Sequence, residues 1–307
     1  MKNIVALLFL CFFVAGCNKL IKNESPVLES EQASQSAQAQ LKRKNNKKPT
    51  DMIGFWVGSF NATEGFVNQQ ITDKGTLAWH KEKKITLAIE SITIDRVDGY
   101  SVIAGITHKC SGIMKENEDF IEFELTELGR DPQIGTFYLK IDKKDTVLKG
   151  GWTAKKKGGI ETRYCNFTKQ HFEYNPNVTF ALIQGISEDQ SIKDNVHYPG
   201  EYDEWYSAIT SNYDIVQRLN PSTKTLTDSE VSGLTKSELM LLRNTIFARH
   251  GYAFKKRPLR IYFEQQPWYI PVSSNPKSGL TKTENQNIAL IVSYERYFGE
   301  YDGNFGR

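Results

Sequence analysis

The stretch Lys84-Ile85-Thr86-Leu87-Ala88-Ile89-Glu90-Ser91-Ile92-Thr93-Ile94 decides how the first half of the chain folds. Ile85, Leu87 and Ile89 alternate with the smaller Thr86 and Ala88, which is the period of a strand with one face turned to a core. Ile92 and Ile94 resume out of phase, so the slip at Glu90-Ser91 predicts a β-bulge. The same period returns on either side. Tyr100–Ile113, Phe120–Leu128, Thr136–Ile141, Thr146–Ala154 and Ile160–Thr168 read as strands, and Gly54-Phe55-Trp56-Val57-Gly58 opens the first one. Asp98-Gly99 is a hairpin signal. The clusters Lys115–Asp119 and Asp142–Asp145 are turns. Seven or eight short strands at about 10-residue spacing predict an antiparallel barrel or sandwich over residues 51–170.

Upstream, residues 1–16 read MKNIVALLFLCFFVAG. Lys2 precedes an apolar run of about a dozen residues, short of the roughly 20 a membrane-spanning helix needs and suited to a secretory signal. Val14-Ala15-Gly16-Cys17 resembles the bacterial lipobox, in which cleavage precedes a cysteine that receives lipid. The resemblance implies a lipid-anchored, extracytoplasmic protein of the bacterial cell envelope. Asn18 in place of Asp points to the outer membrane in a cell that has one. Residues 17–50 hold no aromatic residue and cannot offset their own ordering entropy. They read as a tether reaching roughly 30 Å, with a basic run at Lys42–Lys48 that is a solvated linker or a contact with anionic headgroups.

The net charge of +3 provides no chain-wide basic signature, so nucleic acid is not an expected partner. Past the signal and Cys17, the chain keeps two cysteines, Cys110 and Cys165, both in strand-like runs. An even pair in an exported protein predicts a disulfide. The Gly-x-Trp at Gly54–Trp56 resembles the first strand of lipocalin- and avidin-type barrels, in which the Trp plugs one end. Trp56 is therefore a candidate both for core packing and for a ligand mouth.

In the second half the period changes to that of helices. Thr227–Glu230, Thr235–Glu238 and Thr281–Glu284 each form a capping box, so three helices start there. One runs from Lys236 to His250 and stops at Gly251. Another contains Leu259, Tyr262 and Phe263 after Pro258, and the last covers Lys282–Phe298. Leu242-Arg243-Asn244-Thr245-Ile246-Phe247-Ala248-Arg249-His250-Gly251-Tyr252-Ala253-Phe254 resembles the signature of the YARHG domain family. Tyr262-Phe263, Trp268-Tyr269-Ile270-Pro271 and Glu284–Ile288 extend the resemblance over about 222–298. It implies a small extracytoplasmic accessory domain with no established reaction. The organisation expected is thus α+β: a β domain at 51–170, a connecting segment at 171–221 with a short helix at Gly200–Asn212, and a YARHG-like helical domain at 222–307.

Helical phase places Arg243 and His250 in the apolar stripe of one helix, and Glu284 and Glu295 in that of the last. Charges on an inward face need partners, so these four are expected to pair, or to line a pocket for an anionic glycan or peptide terminus. Arg249 complements the negative end of its helix, and Tyr252, Trp268 and Tyr269 are aromatic contact candidates or core. Five histidines fall at no metal-ligand spacing, and no nucleophile elbow or phosphate loop is present. Glu122 and Glu124 share a strand face that reads as solvated. The expectation is a non-enzymatic envelope protein with no cofactor beyond the lipid on Cys17, binding a cell-wall glycan, a peptide or another envelope protein. The alternatives are a carboxylate-dependent hydrolase in the β domain and a structural or assembly lipoprotein. Replacing the anchor residue, Cys17→Ser, should abolish incorporation of labelled palmitate and leave an unprocessed precursor. A mutant that still carries label contradicts the lipobox reading.

Overall fold

A computed structural model of the chain describes residues 47–62, 83–94, 96–157, 160–181, 213–275, 277 and 279–302. The lipobox, nearly all of the tether and Gly200–Asn212 lie outside the described residues. Eight antiparallel strands follow one another in sequence order: β1 Gly54–Ala62, β2 Lys84–Ile92, β3 Val97–Ile103, β4 Ile106–Glu116, β5 Phe120–Glu127, β6 Gly135–Asp142, β7 Val147–Ala154 and β8 Thr162–Gln170. β8 returns to pair with β1, so the sheet closes as a barrel and leaves no open edge. The β2–β3 register shifts between Ile89 and Ser91, where the phase of the sequence slips.

Two local readings are corrected. Tyr100–Ile113 is not one strand: the chain reverses at Ala104-Gly105, both at positive φ (49° and 79°), between the paired Ile103 and Ile106. A two-residue turn of this kind usually carries Asn-Gly or Asp-Gly, and Ala-Gly does not announce it. Asp98-Gly99 is no turn but part of β3. Gly99 stands there because a Cβ would lie 1.9 Å from the Ala88 carbonyl oxygen.

The inward positions form one apolar cluster. Ile85, Leu87 and Ile89 meet Ile121, Phe123 and Leu125 of β5, Phe137 and Leu139 of β6, and Trp152 and Phe167. Phe60 packs 5.4 Å edge-on to Trp152. Trp56 is buried beside Met52 of the 3-10 turn Pro49–Met52, and its Nε1 donates to the Met52 carbonyl at 2.8 Å. Glu122 points outward to Lys140 at 3.2 Å, on the solvated face expected for it.

One part of the outer wall is buried as well. Val57, Thr86 and Val102 are paired neighbours on β1, β2 and β3, and they face away from the lumen, yet each is at most 2% exposed. The helical region attaches on this side. The Lys84 ammonium donates to the carbonyls of Tyr269 (2.9 Å) and Gln266 (3.3 Å), and Thr107 bonds Ser274 at 3.0 Å. That region contains α1 Tyr213–Arg218, α2 Asp228–Val231, α3 Lys236–Arg249, α4 Arg257–Glu264 and α5 Lys282–Asp302. Thr235 and Thr281 cap α3 and α5 as their sequences predict, each Thr amide donating to the Glu three residues on. Gly251 at φ 68° terminates α3. The core of this region also draws in Phe180, Ile215 and Val216 from the segment read as a connection.

The expected disulfide is absent: Cys110 and Cys165 are both free and buried. β4 and β8 are four strands apart in either direction around the barrel. Facing walls lie roughly 10 Å or more apart, beyond the roughly 7 Å Cα limit for a disulfide. Desolvation pushes both thiols up to about 12, so neither is reactive near neutral pH. Thiol titration of residues 47–307 should therefore find none in the native state and two after unfolding, with no reductant added. Two thiols that appear only after reduction would contradict the free state of Cys110 and Cys165.

Candidate functional site

The polar groups nominated by helical phase converge where the C-terminus of α3 meets the start of α5. Glu284 is wholly buried at the third position of α5. One carboxylate oxygen accepts from the Thr281 amide at 2.9 Å and lies 2.8 Å from His250 Nε2. The other accepts from the Tyr174 hydroxyl at 3.0 Å. Desolvation acts to raise its pKa, but the hydrogen bonds from His250, Thr281 and Ser222 outweigh that and hold it at about 2. Tyr174 stacks on His250 with ring centroids 4.3 Å apart, and burial together with its bond to Glu284 raises its hydroxyl to about 12. Farther along the same two helices, Arg243 Nε donates to Glu295 at 3.0 Å. The structure thus joins all four charged residues into two interhelical pairs.

Arg249 turns inward instead of toward solvent and is 3% exposed. Its guanidinium donates to the Thr245 hydroxyl at 3.0 Å and the Ser222 hydroxyl at 3.4 Å, and it lies 5.3 Å from the Phe180 ring. Desolvation lowers its pKa to about 10, so it stays cationic. A second polar group sits inside the barrel. Glu127 accepts from Ser101, from the Gly135 amide at 2.9 Å and from Trp152 Nε1 at 3.1 Å. His108 lies 3.5 Å from Glu127 and 3.4 Å from Asp131, and the two carboxylates, Glu127 foremost, keep its pKa raised against desolvation. Lys83 is the opposite case: burial, then Arg163 and Arg260, lower it to about 8.

Residues 213–296 match the YARHG domain. The match takes in α1, which lies before the start read from the sequence. No curated protein matches the chain. The crystal structure of Echinococcus granulosus fatty-acid-binding protein 1 aligns over 38% of this chain and 96% of its own, at 11% identity and a TM-score of 0.22. A likeness that low carries no argument, and the barrel here rests on its own strand pairing.

Within the YARHG domain the aromatic candidates are core. Tyr269 is 2% exposed, with its hydroxyl on the Tyr252 carbonyl at 2.6 Å and its ring near Phe254 and Phe263. Of the two roles open to it, contact residue or core, Tyr269 takes the core one, and its carbonyl accepts from Lys84 of β2. Tyr252 and Trp268 are partly buried against the same cluster. Sequence reading missed Tyr174, Ser222 and Glu127. Glu127 was detectable, because it continues the inward period of Ile121, Phe123 and Leu125. Tyr174 and Ser222 lie in irregular chain, which has no period to read.

Glu284 ties pH to stability. Its folded pKa is depressed, so its contribution is complete above about pH 4.5 and is lost as pH falls toward 2; a shift of this size corresponds to about 3 kcal/mol. Glu284→Gln should cost about 3–5 kcal/mol at neutral pH. It should also flatten the acid limb of the stability curve, as measured by urea unfolding across that pH range. An unchanged acid limb would show that the pair contributes nothing to folding.

Proposed function

We propose that the chain is a lipid-anchored envelope protein that presents its β-barrel and YARHG domain beyond the membrane and binds a cell-wall or surface component without catalysing a reaction. The YARHG domain at 213–296 carries this reading, as a domain of extracytoplasmic, envelope-associated proteins. The lipobox at Cys17 and the tether after it supply an anchor and a reach that suit such a role. The outer membrane is the proposed site where the cell has one.

Binding without chemistry is supported by how the charged groups are used. His250 and Arg243 are taken up by Glu284 and Glu295. Glu127 accepts from three donors, and Ser101 beside it is wholly buried. A hydrolase in the β domain draws on one observation, the placing of His108 between Glu127 and Asp131. That reading requires a substrate to reach groups already committed to one another.

The test is a pull-down of residues 47–307 on isolated cell wall and on membranes. Retention on cell wall is the expected result. Retention on neither removes the binding reading and leaves a role in assembling other envelope proteins.

A further inference from the structure

Most glycines inside the barrel strands are there because nothing larger fits. A Cβ at Gly58, Gly99, Gly112 or Gly150 would lie 1.7, 1.9, 1.8 or 2.0 Å from a carbonyl oxygen of the neighbouring strand. Gly151 is different. A Cβ there would meet the Arg163 carbonyl oxygen at 3.5 Å, an ordinary contact, and its φ is not positive. A glycine in mid-strand weakens the strand, and where packing does not require it, it marks a place where something approaches the backbone closely. Gly151 faces outward between Leu148 and Trp152, which are buried in the barrel. Its cross-strand partners are Tyr138 of β6 and Tyr164 of β8. Both tyrosines are about half exposed, at 51% and 48%. They stand two strand spacings apart, about 10 Å at their bases. Neither ring comes within 4 Å of the Cβ position at Gly151, so the floor between them is open backbone.

The surroundings select the occupant. Along β7 the outward neighbours of Gly151 are Lys149 and Thr153, both exposed, so the two ends of the trough are polar. Lys149 pairs with Asp145 at 3.5 Å, and the adjacent Lys140 with Glu122 at 3.2 Å, so the charges balance and no spare cation calls for an anion. The closed sheet pairs β7 on both sides, so a peptide cannot add to it as a strand. Two half-exposed rings offer a fraction of the roughly 800 Å² per partner that a stable protein interface takes. What fits is one small flat group, apolar on its faces and hydroxylated around its edge. We propose that the trough between Tyr138 and Tyr164 binds an uncharged saccharide, with one sugar ring over Gly151, its C–H faces against the tyrosine rings and its hydroxyls toward Lys149 and Thr153. The site names the ligand class for the binding role proposed above and rests on that reading.

Calorimetric titration of the full chain in a sugar-free detergent tests it, with chitotriose, cellotriose and the anionic trigalacturonate as probes. At least one of the two uncharged sugars should bind at millimolar concentration, and more tightly than trigalacturonate. Tyr138→Ala and Tyr164→Ala should each weaken that sugar about tenfold, through the loss of one stacked ring. Gly151→Thr puts a side chain on the floor and should abolish binding while the Tm holds or rises, because threonine suits a strand better than glycine. A Gly151→Thr chain that does not fold shows the glycine to be structural, and the two tyrosine variants then decide alone. The site is overturned if neither uncharged sugar binds, or if the folded variants bind as the unaltered chain does. Tighter trigalacturonate overturns the uncharged assignment. Retention on cell wall that the variants lose, with no sugar bound, makes the occupant a wall protein or peptide and overturns the saccharide. Sugar binding without retention on cell wall refutes the cell-wall target and keeps the site, and retention that survives Tyr138→Ala and Tyr164→Ala refutes the site alone.

Discussion

The Glu284 carboxylate carries an unusual share of the YARHG domain. As the third residue of α5 it closes the capping box with Thr281, an ordinary local device for satisfying a helix start. Full burial adds two further partners, His250 at the end of α3 and Tyr174 from the chain leaving the barrel. One side chain therefore fixes where α5 begins, where α3 ends and how the incoming segment lies across both. Asn287, one turn later and equally buried, holds the loop before α2 through the Leu226 amide and the Pro221 and Lys224 carbonyls. The domain is built around polar anchors inside an apolar cluster. Such anchors are costly when half satisfied and specifying when complete.

The barrel and the helical region share a wall. Outward positions on β1–β3 carry Val57, Thr86, Ala88 and Val102, all small enough to let a second layer approach, and all buried. Lys84 then ties the start of β2 to the carbonyls after α4. This makes β2 a strand with two buried faces. It also gives Thr86 and Ala88 a reason to be small that alternation alone does not supply.

Both errors of local reading come from the same limit. The usual hairpin dipeptide stands at Asp98-Gly99 inside β3, while the reversal takes place at Ala104-Gly105, held by the pairing on either side. Cysteine count and compartment favour a disulfide. Neither gives the angular separation of β4 and β8 around a closed sheet, which depends on every strand between them.

Much of the architecture was therefore legible in residues near one another in the chain. The two-residue period marked the barrel strands and located the bulge after Ile89. Capping boxes set the starts of α3 and α5, and helical phase identified Arg243, His250, Glu284 and Glu295 as inward charges. Each of these is a relation over one to four residues, and backbone geometry converts such relations directly into faces and ends. Only the tertiary structure decided which faces meet. It sent His250 to Glu284 and Arg243 to Glu295, kept Cys110 from Cys165, buried Tyr269, and brought Arg249 to the Phe180 ring. Those contacts join segments far apart in sequence, where no period relates one side chain to the other and packing alone sets the distance.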